Sequence, residues 1–186
     1  DELPQQFLSE SYRRMLYPIP YQELIHSRAS SAGIEPHLLA AIIREESRFD
    51  SMAVSAASAR GLTQFVMGTA RRYGPRIGRP HLKATDLHQP EVAIALGALY
   101  LADLSNRYSG HIFSAIAAYN AGEDQAELWQ SYCNSEEPAE YFTKVGFSQT
   151  RAYLEKVVGS WLQYDEIYPS TGRQSASATD FVDNSR

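Results

Sequence analysis

A glutamate stands where the apolar stripe of a helix should continue. Leu38, Leu39, Ile42 and Ile43 recur with helical spacing after Pro36, which predicts a helix running on through Arg44-Glu45-Glu46-Ser47. At about 100° per residue, with Leu38 as origin, the four apolar side chains span roughly 0° to 140°. On that wheel Glu46 falls near ~80° and Glu45 near roughly −20°. A carboxyl aimed into apolar surroundings loses hydration, and its pKa should rise. Held protonated near neutral pH, it can hand its proton to a leaving group. Glu46 is therefore the candidate catalytic acid; the alternative is a polar helix end that simply meets water.

Three further segments bear on Glu46. Ser55-Ala56-Ala57-Ser58-Ala59-Arg60-Gly61-Leu62-Thr63-Gln64 places a glycine where the backbone should turn tightly. Ala117-Ala118-Tyr119-Asn120-Ala121-Gly122 and Phe147-Ser148-Gln149-Thr150-Arg151-Ala152-Tyr153 supply aromatic hydroxyls and amides. Asp50 reads as part of a helix exit, where it should bond the local backbone rather than act as a second catalytic carboxylate. Phe65 reads as core. The histidines at 26, 37, 81, 88 and 111 form no pair at metal-ligand spacing, so neither a metal site nor a cofactor is expected.

These residues need elements to position them. The signals are helical throughout, without a convincing pair of alternating strands. Helices are expected at Gln5 to Leu16, at Tyr21 to about Ser31 with Gly33 as a stop, and from Pro36 through Glu46. After a Ser/Ala-rich connection Gly61 should precede a further helix, through Leu62, Phe65, Val66 and Ala70. Gly74 to Pro80 reads as a loop. The strongest core candidate is Glu91 to Tyr108, apolar on nearly every side, which should be the central helix. Short helices should follow at Ile112 to Tyr119 and Asp124 to Trp129. A closing helix from Gln149 to Ile167, with Ser148 as N-cap, should bury Tyr153, Leu154, Val157, Trp161 and Tyr164.

With 186 residues the chain is long enough for one domain with a sizeable core. A net charge of −5 argues against a dedicated nucleic-acid binder. Eight Lys/Arg residues between Arg44 and Lys83 nevertheless form a basic stretch that could hold an acidic substrate near Glu46. The single cysteine, Cys133, rules out an intramolecular disulfide without fixing the compartment. The longest apolar run, Val92 to Ala102, is about half of the ~20 residues needed to span a bilayer. The chain opens on Asp1 with no signal peptide, which reads as a processed or excised piece.

The four segments, in order, resemble the soluble lytic transglycosylase family, the lysozyme-like enzymes that cleave bacterial peptidoglycan. The family pattern is Glu-Ser-x-Phe, Ser-x-x-Gly-Ala-x-Gly-Leu-Met-Gln, Ala-Tyr-Asn-Ala-Gly and Glu-Thr-Arg-x-Tyr. The resemblance covers roughly Tyr17 to Tyr168. It implies an all-α, lysozyme-like (goose-type-lysozyme-like) domain around a central apolar helix. It also implies cleavage of the bond after N-acetylmuramic acid, with Glu46 as acid and then base and a 1,6-anhydro product. By position, Ser55 and Gln64 would bind the sugar, Val66 and Gln149 would border the site, Tyr119 and Asn120 would wall Glu46, and Tyr153 would set its hydroxyl beside the carboxyl. The chain departs from the pattern at Ser58 (Gly), Thr63 (Met), Val66-Met67 (Met-Pro), Gly146 (Pro) and Gln149 (Glu). A muramidase that uses water, or a non-catalytic peptidoglycan-binding module, are the alternatives.

The domain reading that follows is a helical lead-in at 1–20, read as a remnant of an upstream helical domain, a catalytic domain at 21–168 and a disordered tail at 169–186. The expected partner is the peptidoglycan glycan strand, bound by a monomer without nucleic acid or a membrane span. The implied location is the periplasm or cell envelope.

Overall fold

The helix that carries Glu46 lies against the last helix among the described residues, and the remaining elements hold that pair in place. The computed structural model describes residues 9–135 and 137–169. Its α-helices are α1 (Glu10–Leu16), α2 (Gln22–Ala32), α3 (Pro36–Ser47), α4 (Met67–Tyr73), α5 (Pro90–Arg107), α6 (Ile112–Ala121), α7 (Glu123–Gln130), α8 (Pro138–Lys144) and α9 (Ser148–Ile167). Short 3-10 helices lie at Gly74–Ile77 and Ala84–His88. Among the described residues there are only isolated β-bridges, so the all-α expectation holds.

The start of α3 follows from local chemistry. Pro36 occupies the first turn, where its missing N–H is no loss. The Glu35 carboxylate accepts the Leu38 N–H at 2.6 Å and so caps one of the helix's free donors. The same oxygen accepts the indole N–H of Trp161 on α9 at 2.8 Å, so the cap also ties two helices together. From His37 to Ile43 every residue of α3 is buried, because α2, α5 and α9 surround it. The expected stripe is thus a fully enclosed segment.

Helix α5 is central, as its composition predicts. It touches α2, α3, α4, α6 and both 3-10 helices, and Val92, Ile94, Leu96, Leu101 and Leu104 are all buried. Leu99 is only partly buried. The apolar face of α9 is buried as expected, from Tyr153 through Leu154, Val157, Trp161 and Tyr164. Before α2, the chain is fixed to α9 by Arg13 with Glu166 and by the Tyr164 and Tyr168 hydroxyls, which donate to Pro18 and Tyr17 carbonyls at 3.0 Å each.

Several sequence expectations are corrected. The helix expected to follow Gly61 begins only at Met67. Residues 54–65 instead fold back through two antiparallel bridges, Val54 with Arg60 and Arg60 with Phe65. Gly61 makes that turn possible: its φ is +72°, and a Cβ there would lie 1.8 Å from the Leu87 carbonyl oxygen. Gly74–Ile77 is a 3-10 helix rather than loop, since Pro75 has the backbone angle its opening turn needs. Ser148 does not cap α9; it is the first helical residue, Phe147 precedes it, and no side chain caps the end. Helix α8, with Pro138 in its first turn, has no counterpart in the sequence expectations. The expected start of the first helix at Gln5, and the tail beyond Pro169, lie outside the described residues.

Candidate active site

Glu46 sits in the last turn of α3, half-buried, where that helix passes Tyr153 near the start of α9. The Tyr153 hydroxyl donates to Glu46 Oε1 at 2.6 Å. Withdrawal from water pushes the Glu46 carboxyl up to about 7, against the stabilising bond from Tyr153, and the neighbouring Glu45 charge adds to the rise. Desolvation wins over the hydrogen bond, so near neutral pH both protonation states of Glu46 are populated. The Tyr153 and Tyr119 hydroxyls are held well above their ordinary range, first by burial and then by the charge of Glu46. Both stay protonated as donors.

The end of α3 is locked to the following loop. Ser47 Oγ donates to the Leu62 carbonyl at 2.8 Å, and Arg48 and Phe49 both take left-handed backbone angles (φ 52° and 64°) that turn the chain out of the helix. Asp50 accepts the Met52 N–H at 2.8 Å, the local role expected of it. Glu45 projects elsewhere: Ser160 Oγ on α9 donates to it at 2.8 Å, and Arg44 Nε lies 3.7 Å away. Glu46 and Glu45 are therefore held by different partners.

The other candidates fall into two groups. Tyr119 donates to the Thr63 carbonyl at 3.1 Å and packs edge-on against Phe65, which is core as expected. Asn120 Oδ1 accepts from Thr150 Oγ1 at 2.9 Å, joining α6 to α9. Tyr119 and Asn120 both lie on α6, which packs against the helix that carries Tyr153, and Tyr119 is close enough to feel the Glu46 charge. Ser55 and Gln64 instead organise their own loop: Ser55 Oγ accepts the Ala59 N–H at 3.1 Å, and the Gln64 amide donates to Gly61 and Ala53 carbonyls at 2.9 and 3.3 Å. Val66 is 40% exposed immediately before α4, and Gln149 is exposed in the first turn of α9. Among the described residues only Tyr153 hydrogen-bonds the Glu46 carboxyl.

Sequence reasoning missed the supports. Gly97 on α5 leaves room for Thr63, whose Cγ2 would lie 2.6 Å from a Cβ there, and the Tyr119 hydroxyl would lie 3.5 Å away. A glycine inside an apolar helix was the available signal for that close approach. Thr150 and Ser160 carry no such signal, since a hydroxyl on a helix reads equally as solvent-facing. Among the described residues no His/Cys/Asp/Glu group could hold a metal ion.

A family model described as the transglycosylase SLT domain matches residues 23–142. The chain belongs to the transglycosylase SLT family. The soluble lytic murein transglycosylase of Escherichia coli K12 is 29% identical over 154 residues, covering 82% of this chain and 23% of that protein. The membrane-bound lytic murein transglycosylase C of Serratia proteamaculans is 30% identical over 167 residues, covering 77% of this chain and 46% of that protein. This SLT chain thus spans about a quarter of the soluble relative and just under half of the membrane-bound one.

Solved SLT structures agree with the lysozyme-like, all-α expectation. The 70 kDa soluble lytic transglycosylase of Escherichia coli superposes with a TM-score of 0.80 at 25% identity, over 86% of this chain and 26% of that one. The lytic transglycosylase Slt of Pseudomonas aeruginosa superposes with a TM-score of 0.77 at 29% identity, over 82% and 25% of the two chains. That second structure is an inactive mutant in which a glutamate is replaced by glutamine. One SLT departure has a visible cost: Ser58, where the family pattern has Gly, adopts φ 61°.

Proposed function

We propose that this chain is the catalytic domain of a peptidoglycan lytic transglycosylase, with residues 21–168 as its working unit and Glu46 as its one acid and base. The observation that carries the reading is a shielded carboxyl with a pKa of about 7, held by a tyrosine hydroxyl. Glycoside hydrolysis ordinarily takes two carboxylates. Here Asp50 and Glu45 are each engaged away from Glu46, which favours a reaction whose nucleophile belongs to the substrate.

The steps balance with a single carboxyl. Protonated Glu46 donates to the glycosidic oxygen between N-acetylmuramic acid and N-acetylglucosamine, and the C1–O bond breaks. The resulting carboxylate takes the proton from the C6 hydroxyl of the same muramic sugar. That oxygen closes on C1, giving a 1,6-anhydro end and returning Glu46 to its acid form. A pKa close to the working pH serves both transfers. Tyr153 steadies the carboxylate between them. Tyr119 and Asn120 border the site, with Val66 and Gln149 as exposed positions at its edge; Ser55 and Gln64 shape the loop that faces the sugar.

The murein named in its relatives, and the glutamate-to-glutamine mutant that is inactive, support the same reading. The glycan strand is then the partner, and the cell envelope is where the protein acts. The test is digestion of purified sacculi with wild type and Glu46→Gln, followed by mass spectrometry. Wild type should release fragments lighter by one water than those of a hydrolase, and the variant should release none. A product with a reducing end would make the enzyme a muramidase; wild-type binding without release would make it a binding module.

A further inference from the structure

A basic cleft lies across α5 from Glu46. Relative to Gly97, which faces Thr63 and Tyr119, the residues Val92, Ala95 and Leu99 are turned by roughly 140–160° around the helix. They floor a cavity of about 270 Å³. Arg28 and Ser31 of α2 line it, together with Arg76 and Arg79 from the 3-10 helix at Gly74–Ile77 and the turn after it. The partial exposure of Leu99, in a helix otherwise buried along that stretch, is explained by this opening. Part of the basic stretch therefore does not surround Glu46, contrary to the sequence expectation.

The charges in the cleft are unevenly satisfied. Arg76 is paired with Asp103. Arg28 and Arg79 have no ion-pair partner among the described residues, and neither does Glu91, the one carboxylate lining the cleft. Guanidinium groups present planar forks that match a carboxylate. A plain anion would meet Arg28 and Arg79 but would face repulsion from Glu91. An apolar ligand would leave all three charges unmet. The complement is a small zwitterion with a short apolar stem, the size of one or two amino-acid residues.

We propose that this cleft binds the short peptide branches of peptidoglycan, with a branch carboxylate on Arg28 and Arg79 and a free branch amine on Glu91. The inference rests on the peptidoglycan reading above. Those branches carry free carboxylates and, before cross-linking, a free amine. The chain thereby holds peptide on one side of α5 while Glu46 works on glycan on the other.

The test uses a synthetic branch peptide with free carboxylates and a free side-chain amine, titrated against this chain and its Arg28→Gln/Arg79→Gln variant. Both arginines are exposed, so the variant should melt as wild type does. Wild type should bind the peptide saturably, at least tenfold more tightly than the variant, and amidating the peptide carboxylates should cost as much. Glu91→Gln should weaken the same peptide but not its N-acetylated form. Equal binding by wild type and variant, no binding by wild type, or inorganic phosphate bound as tightly as the peptide, overturns the proposal. Cleavage of peptide-free glycan strands is measured alongside and should be equal in wild type and variant. If neither cleaves while wild type still binds the peptide as described, the cleft assignment stands and the proposed reaction falls.

Discussion

The Tyr153 hydroxyl donates to Glu46 Oε1 at 2.6 Å across 107 positions of sequence. This bond favours the charged carboxylate and partly offsets its desolvation. Removing it in Tyr153→Phe should raise the pKa of Glu46 above about 7 and slow the step in which the carboxyl gives up its proton, because the carboxylate left behind is no longer stabilised. A pH–rate profile should show its alkaline limb displaced to higher pH and turnover lower by at least ~10-fold. An unmoved profile would mean that the tyrosine only packs.

Glu46 weakens the fold at neutral pH. Its folded pKa, about 7, lies above the ordinary 4.5, so between those values the native state binds more protons than the unfolded state. Stability must then fall as pH rises through that window. Glu46→Gln keeps the shape and an acceptor for Tyr153 but carries no charge. It should be more stable than wild type at pH 8, by up to about 3 kcal/mol, and should lose that advantage below pH ~4.5. Denaturant midpoints at the two pH values check the sign.

Glu45 acts on its neighbour through charge. It adds to the rise in the Glu46 pKa, while Ser160 keeps it in place. Glu45→Gln preserves an acceptor for Ser160 and should move the Glu46 titration to lower pH. The activity profile should shift the same way, with the peak rate changed by less than ~10-fold. A shift to higher pH would contradict the placement of the two carboxylates.

Ser58 holds φ 61°, a conformation that costs a side-chain-bearing residue about 1 kcal/mol or more. Glycine relieves that strain but gains freedom when unfolded. Ser58→Gly should therefore stabilise the chain by roughly 0.5–1 kcal/mol without loss of turnover, read as a higher melting temperature.

Gly61 is the reverse case. A Cβ 1.8 Å from the Leu87 oxygen cannot be accommodated without moving backbone, and φ +72° adds strain. Gly61→Ala should cost more than ~3 kcal/mol, with local disruption of the bridges at Arg60 measurable by hydrogen exchange.

The shielded position of Glu46 was legible in the sequence because a glutamate interrupted a 3.6-residue rhythm, and the central helix because α5 is apolar all round. The closing helix was legible for the same reason; its first residue was not, because helix ends depend on single hydrogen bonds. The loop from Val54 to Phe65 misled because Leu62, Phe65 and Ala70 share a helical spacing, while the actual fold is set by positive φ at Ser58, Gly61 and Gln64. The motif amides and hydroxyls of Ser55 and Gln64 were legible as important but not for what they hold. Hydrogen bonds to a neighbouring backbone leave no periodic trace.

The pairing of α3 with α9 has a consequence for a nascent or truncated chain. Without the segment that begins at Ser148, Glu46 loses both its tyrosine and the protein that covers it. Its side chain becomes a common surface acid, ionised at neutral pH and with no proton to lend. A chain cut before Ser148 should therefore lack the proton donor that the proposed reaction needs, and stay inert until α9 is in place.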